Sequence, residues 1–481
     1  MNERMIDRWR PRVVTWLAVV WAAGMVGCHW GGGPDLGPET RLTEPEKSGA
    51  TFSFPYYTDV VARGNTVAAV YMVANGRMNR HVVVRRSTDG GRTWGAPFVL
   101  DEPGFGDTIS VSPDLVTFAD GSLLAVWQAR RNAVGEKFIL SRKSSDFGAT
   151  FGETRTLNAV HQSFPGSVAS RPDGAVLVAY SDERNIERDI FANHSTDGGA
   201  TWPTADVIVA PSNKSESVGP TAALGEGGEA WVAWEEKRRG DAALSVAHSS
   251  DGGATWSSPV RIDDPNAKAS PIWPSLVESG GRLTATWTSG IVGETSRSWL
   301  WMVSSTDGGK TWSAPKAVYE GAALAISQML AVGPRLFLVW HGGASDETGI
   351  YFNSSEDGGA TWTRPFDSPA RLDDSRPAIL AVRPRIAVDG NRLAVAWQEG
   401  DREIVARLSA DGGKTWLGEK AIRVAEVEKG NLRLPQVAVS DQGAWVLWER
   451  WADMTGLRKT LADADLPTPI DIVVRKVPFP Q

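Results

Sequence analysis

The sequence predicts an all-β chain, a β-propeller of four-stranded antiparallel blades, and three observations carry that prediction. First, an eight-residue box recurs seven times: "STDGGRTW" from Ser87, "SSDFGATF" from Ser144, "STDGGATW" from Ser195, "SSDGGATW" from Ser249, "STDGGKTW" from Ser305, "SEDGGATW" from Ser355 and "SADGGKTW" from Ser409. Successive copies start 57, 51, 54, 56, 50 and 54 residues apart, a period that marks a repeat architecture. Second, roughly 20 residues upstream of a box lies an apolar run closed by an aromatic, at Trp127, Tyr180, Trp234, Trp287, Trp340 and Trp397. Third, 50 Gly and 22 Trp in 481 residues, with no helical periodicity, suit many tight turns and aromatic packing between sheets.

From the N-terminus, Arg4, Arg8, Arg10 and Arg12 precede the apolar run "VVTWLAVVWAAGMV". That run has the length of a signal h-region and is short for a membrane span. It ends at Gly27-Cys28, and Cys28 is the only cysteine. "MVGC" resembles a bacterial lipoprotein processing box, with Met25 where Leu is usual. The resemblance implies a signal peptide over 1–28, lipid attachment at Cys28 and an exported, membrane-anchored protein. Without a second cysteine there is no disulfide, and the fold holds by packing. Residues 29–50, rich in Gly, Pro and charge, read as a flexible tether.

Over 51–481 each unit reads as four short strands, A to D. A Pro-started strand such as "PRIAVDG" is followed by the apolar run, the strand leading into the box, and a short strand such as "PVRIDD". Seven boxes give seven units. The tail supplies an eighth, with "LPQVAVSDQGAWVLW" as strands A and B, the rest as C and D, and "LADADLP" where a box would sit. The expectation is eight blades, with seven plus an appendage as the alternative. β-Solenoid repeats are usually shorter.

The box, Ser-x-Asp-x-Gly-x-Thr-Trp, resembles the Asp-box, or BNR repeat, of sialidase-like propellers, and the likeness covers nearly all of 51–481. The residues themselves read as scaffold. Asp89, Asp146, Asp197, Asp251, Asp307, Asp357 and Asp411 can accept turn N–H groups, the fifth-position Gly permits the backbone conformation, and the aromatic packs into the blade. A catalytic site needs its residues once, whereas every hairpin needs to close.

If the C–D turns lie on one face, the B–C loops and D–A connections lie on the other, where the resemblance places a ligand site around the axis. Those loops carry Arg130, Arg131, Asp182, Glu183, Arg184, Glu235, Glu236, Arg238, Glu399, Glu449 and Arg450, with Trp451 beside them. The D–A connections add Arg376, Arg383, Arg385 and Arg433. Arginine grips carboxylates bidentately, so an anionic sugar or a peptide is the expected ligand. Solvated charges pairing with one another are the plain alternative.

A sialidase constellation is not visible: there is no Arg-Ile-Pro, and no Tyr lies in the last two units. "FSFPYY" at 52–57 occupies the corresponding region without its Arg. Asp182, Glu183 and Glu235 remain the candidate acids for glycosidase chemistry. Net charge of -7 disfavours nucleic acid. Six His without ligand spacing, and no phosphate-binding Gly-rich loop, call for no metal or cofactor. The expected activities are glycan or protein binding on the loop face, exo-glycosidase turnover of the sialidase type, or scaffolding of an envelope complex.

Overall fold

In the computed structural model, strands Thr58–Arg63, Thr108–Thr117, Ser163–Ser170, Glu216–Leu224, Ala269–Ser279, Ser327–Val332, Ala381–Asp389 and Asn431–Ser440 stand side by side around a closed ring, neighbour against neighbour, the last against the first. They are the A strands of eight blades. The structure describes residues 36–43, 58–74, 80–101, 108–131, 135–158, 163–185, 187–211, 215–238, 241–266, 269–291, 297–321, 326–344, 347–376, 379–453 and 470–479. The signal segment with Cys28, the "FSFPYY" stretch and "LADADLP" lie outside these residues, as do the side chains of Arg131 and Arg238.

Each blade is a four-stranded antiparallel sheet, A to D from the axis outward. The one helical turn among the described residues is a 3₁₀ turn at Glu226–Gly228. A single parallel bridge, Arg80 to Ile109, joins blades one and two at their edges. Seven units read from the boxes are blades one to seven, and the tail forms the eighth.

The ring closure corrects two expectations. Thr40–Arg41, placed by sequence in the flexible tether, pair antiparallel with Val474 and Val473 and form the outer strand of blade eight. The tail therefore supplies strands A, B and C only. Ile470–Val477 pairs directly with Gly443–Trp451 and is strand C, so "LADADLP" falls between B and C instead of in a C–D turn. Closure is locked by Leu42, buried in the seam between blades eight and one. Its N–H donates to Ile472 O at 2.7 Å, and its carbonyl accepts from Tyr71 Oη at 3.0 Å and Arg85 Nη1 at 2.7 Å.

The apolar core is divided into eight clusters, one per junction of neighbouring blades. Each holds the aromatic that closes a strand-B apolar run, at Tyr71, Trp127, Tyr180, Trp234, Trp287, Trp340, Trp397 or Trp448, and three add a second strand-B aromatic, Trp445, Trp231 or Phe337. These strands are apolar on both faces because each is packed between two sheets. Tyr180 is a packing residue whose hydroxyl reaches Leu157 O at 3.1 Å and Asp206 Oδ2 at 2.6 Å.

The boxes close the C–D hairpins in one repeated geometry. In all seven, the Ser hydroxyl donates to Asp Oδ1 at 2.7 or 2.8 Å. The Thr hydroxyl donates to Oδ2 at 2.5 or 2.6 Å. The fifth-position Gly donates its N–H to the Ser hydroxyl, with φ between 82° and 103°. In the second box Phe147 holds a left-handed conformation (φ 56°) where the others have Gly, its ring buried between blades one and two. The carboxylates are thus bound within their own turns, as a scaffolding role requires.

Candidate functional site

The two faces separate as the strand order requires. Box turns lie against the A–B turns: Gly90 N–H donates to Asn65 O at 2.8 Å, Gly198 to Gly174 at 2.8 Å and Gly252 to Gly228 at 2.7 Å. The B–C loops and D–A connections form the opposite face, where the A strands end around the axis.

A strands do more there than sequence suggested. In blades two, three, four, five, seven and eight the pairing of A with B slips midway, at a β-bulge. In five of these the bulge holds a residue of positive φ directly before Pro: Ser112, Gly219, Trp273, Arg383 and Leu434. Proline is tolerated where the ladder is already broken. The strands thus begin several residues before the Pro, which sequence had taken as their start. For Trp273 and Arg383 such a backbone costs on the order of 1–3 kcal/mol and persists only where surroundings enforce it.

Beyond the bulge, one residue per A strand sits opposite the strand-B residue preceding the aromatic. These are Asp59, Asp114, Ser167, Thr221, Ser275, Gln328, Arg385 and Gln436, all polar. Three of them accept the N–H one position further on in the next blade. Asp59 Oδ2 accepts from Leu115 at 3.0 Å, Ser167 Oγ from Ala222 at 3.3 Å and Gln328 Oε1 from Ile386 at 2.9 Å. This belt satisfies inner-edge amides that no fifth strand covers. Enclosure pushes the Asp59 carboxyl up to about 6. Asp114, although exposed to solvent within the ring, is also raised, to about 7, by the surrounding protein, with the Asp59 charge adding to the effect. Burial lowers the Arg385 guanidinium, and both aspartates pull it back.

The residues expected on the loop face are dispersed around it. Asp182, fully buried, is held by Arg184 Nε at 2.9 Å and by Ser163 Oγ at 2.6 Å, and Arg184 continues to Asp206 at 2.6 Å. The hydrogen bonds hold Asp182 below the usual carboxylate range against the upward push of its burial, so it is an ionised structural anchor. Glu183 pairs with Arg188 at 3.0 Å and Lys137 at 3.4 Å. Glu236 accepts from Ser245 Oγ at 2.6 Å and lines a cavity of about 590 Å³ between blades three and four. Glu399 is paired with Arg376, which also holds Glu403 at 2.7 Å. Arg450 pairs with Glu39 of the closing strand. Arg130 is exposed, and Arg131 and Arg238 end the B strands of blades two and four.

Two carboxylates differ. Glu235 and Glu449 occupy the same position, one residue after the strand-B aromatic, in blades four and eight. Glu235 is buried and accepts the backbone N–H of Trp273 at 2.8 Å, and burial raises its carboxyl. Glu449 is buried and accepts Trp451 Nε1 at 2.9 Å. It lies opposite Arg433 in the sheet and in the field of Arg383 from blade seven. Burial drives its carboxyl up to about 7, against the indole and the two guanidinium groups. Arg433 stacks over the Trp451 ring at 5.1 Å. The Arg383 side chain, displayed on its bulge and half-buried, makes no hydrogen bond or close ion pair among the described residues. Arg383 and Arg433 thus both act on the single buried carboxyl of Glu449.

Sequence had singled out Glu449, Arg383, Arg433 and Trp451 without joining them, and had passed over Trp273, Asp59 and Asp114. The signal for Trp273 was the recurrence of x-Pro at one phase of the repeat. Among the described residues, no three His, Cys, Asp or Glu side chains gather as a metal site requires.

No curated protein sequence matches the chain. Solved structures are similar to it at low identity. A protein of unknown function from Dyadobacter fermentans is 12% identical, covering 91% of this chain and 98% of its own, with TM-score 0.43. An ulvan lyase is 11% identical over 77% and 93%, with TM-score 0.46. The Trypanosoma rangeli sialidase is 14% identical over 68% and 56%, with TM-score 0.37. The model of the BNR repeat-like domain matches residues 42–280 and 228–448, overlapping stretches that span most of the polypeptide. With seven boxes on eight blades, the chain belongs to the BNR repeat-like domain family.

Proposed function

We propose that this propeller is an exported, envelope-anchored protein that binds a carboxylate-bearing saccharide at the axial mouth of its loop face. The observation that carries this reading is Arg383. It is held in a strained backbone conformation, makes no close ion pair among the described residues, and stands beside Arg433, Glu449 and Trp451. A guanidinium fork matches a sugar carboxylate, an indole offers an apolar edge to the ring, and a carboxyl near its midpoint can accept from or donate to a hydroxyl. Anchoring through a lipid on Cys28 fits the sequence of the N-terminal segment.

Titration calorimetry with glucuronic acid, sialic acid and glucose tests the reading. Binding of either acid, absent for glucose and weakened at least tenfold by Arg383→Ala, is the expected outcome. Equal response to all three sugars, or to none, overturns it. Metabolic palmitate labelling, lost in Cys28→Ser, is the expected result for the anchor. A secreted, unlabelled protein removes that part alone.

A further inference from the structure

Of the large hydrophobic side chains left exposed among the described residues, Trp273 is the one aromatic, with 47% of its surface open. It is also one of three large side chains with positive φ at an A-strand bulge before Pro; of the other two, Leu434 is buried and Arg383 is half-buried. A tryptophan turned outward by accident would relax into a right-handed or extended backbone. Here the N–H is fixed at 2.8 Å by Glu235, a buried carboxylate on the neighbouring blade. The acceptor, the bulge and Pro274 together impose the conformation.

We infer that Trp273 is an aromatic platform for the apolar face of a second sugar ring, and that Glu235 is its positioning residue. The A strands are innermost in every blade, so the bulges of blades five and seven open onto the same axial mouth. A pyranose is amphipathic, with C–H groups on its face and hydroxyls at its rim. The platform supplies the apolar face, and the polar belt of A-strand residues below, with Ser275 two positions along the same strand, supplies hydroxyl partners. The ligand class is therefore an oligosaccharide in which an acidic residue meets Arg383 and a neighbouring residue stacks on Trp273. The acidic half of this inference rests on the reading above; the stacking half does not.

Three probes in calorimetry separate the two: glucuronic acid, a tetrasaccharide of alternating glucuronate and N-acetylglucosamine, and cellotetraose. Trp273→Ala is expected to weaken the mixed tetrasaccharide at least tenfold and leave glucuronic acid unchanged, while Trp273→Phe stays within about threefold of the parent. Glu235→Ala should reproduce the loss of tetrasaccharide affinity seen in Trp273→Ala, and Glu235→Gln, which keeps an acceptor, should restore binding. Unchanged tetrasaccharide affinity in Trp273→Ala overturns the platform. Failure of Glu235→Ala to weaken it overturns the positioning role. If acidic probes do not bind but cellotetraose does, and loses affinity in Trp273→Ala, the platform stands and the acidic reading falls. No binding of any probe overturns both.

Discussion

The indole N–H of Trp445, on the second strand of blade eight, donates to the backbone carbonyl of Gly90 at 2.9 Å across 355 positions of sequence. Trp231 repeats the bond to Gly308 at 2.8 Å between blades four and five. The acceptor in both cases is the fourth residue of a box. A box therefore closes its own hairpin and also presents a carbonyl to the preceding blade. Trp445→Phe keeps most of the apolar contact and strands the Gly90 carbonyl. The expected cost is about 1–3 kcal/mol, measured by chemical denaturation, with saccharide binding unchanged.

Asp251 receives the Ser249 hydroxyl and both the N–H and hydroxyl of Thr255. Asp251→Asn is expected to lower the melting midpoint while ligand affinity stays at the parent value. Lost affinity with an unmoved midpoint would reverse the structural assignment of the boxes.

Acid should unfold the protein by a route that the boxes dictate. Their hydrogen bonds, chiefly from Thr255 in the case of Asp251, hold the carboxyl near 2, below the ordinary 3.8. A depressed carboxyl contributes stability that is complete above its unfolded value and is lost as pH falls from about 4 toward 2. Asp197, Asp307 and Asp357 also stand at about 2. Denaturation midpoints followed from pH 5 to pH 2 should fall steeply over the lower half of that range, and Asp251→Asn should flatten the fall.

The axial belt predicts the opposite sign. Asp114 keeps a solvent-exposed side chain, yet the surrounding ring and the neighbouring Asp59 raise its carboxyl to about 7. The folded state then holds a proton that the unfolded chain releases, so this residue lowers stability as pH rises from about 4 through 7. Asp114→Asn is expected to raise the melting midpoint at pH 8 and to change it little at pH 4. An equal shift at both values would mean that the pair is not enclosed as described.

The clasp at Leu42 holds the seam between blades eight and one. Leu42 is 1% exposed and belongs to a core cluster whose other members come from blades eight and one. Leu42→Ala should destabilise by about 2–5 kcal/mol, a core-sized loss from a residue outside every box. A loss under about 1 kcal/mol would show that blade eight holds without its outer strand.

Blade number was legible because each hairpin needs the same hydrogen-bond set, so Ser87 and Ser409 report one geometry at one period. The strand-B aromatics were legible for a similar reason: a strand between two sheets has no polar face to hide it. The closing strand was not, because Thr40–Arg41 carry no pattern of their own and are defined by their pairing with Val474 and Val473 and by the Leu42 N–H that meets the Ile472 carbonyl. The site was legible in type and not in place. Arginine, carboxylate and aromatic were all visible near Glu449. Which of the charged loops stayed tied to a local partner, as Asp182 is to Arg184, depends on contacts between strands. Trp273 was hidden because Trp-Pro reads as a loop until five blades show a bulge at that phase.

Joining residue 40 to residue 474 closes a loop that contains almost the whole polypeptide. Loop entropy makes contacts of such separation the last to form. Until the final strand is delivered, the first seven blades are an open crescent with two raw apolar flanks, at Val67, Ala69 and Val83 on one side and at Ala394 and Ile404 on the other. A chain that folds as it is synthesised therefore keeps residues 36–43 unpaired until residues 470–477 have been made. The ring is assembled head to tail in time as well as in space, and its first residues to emerge are the last to find their place.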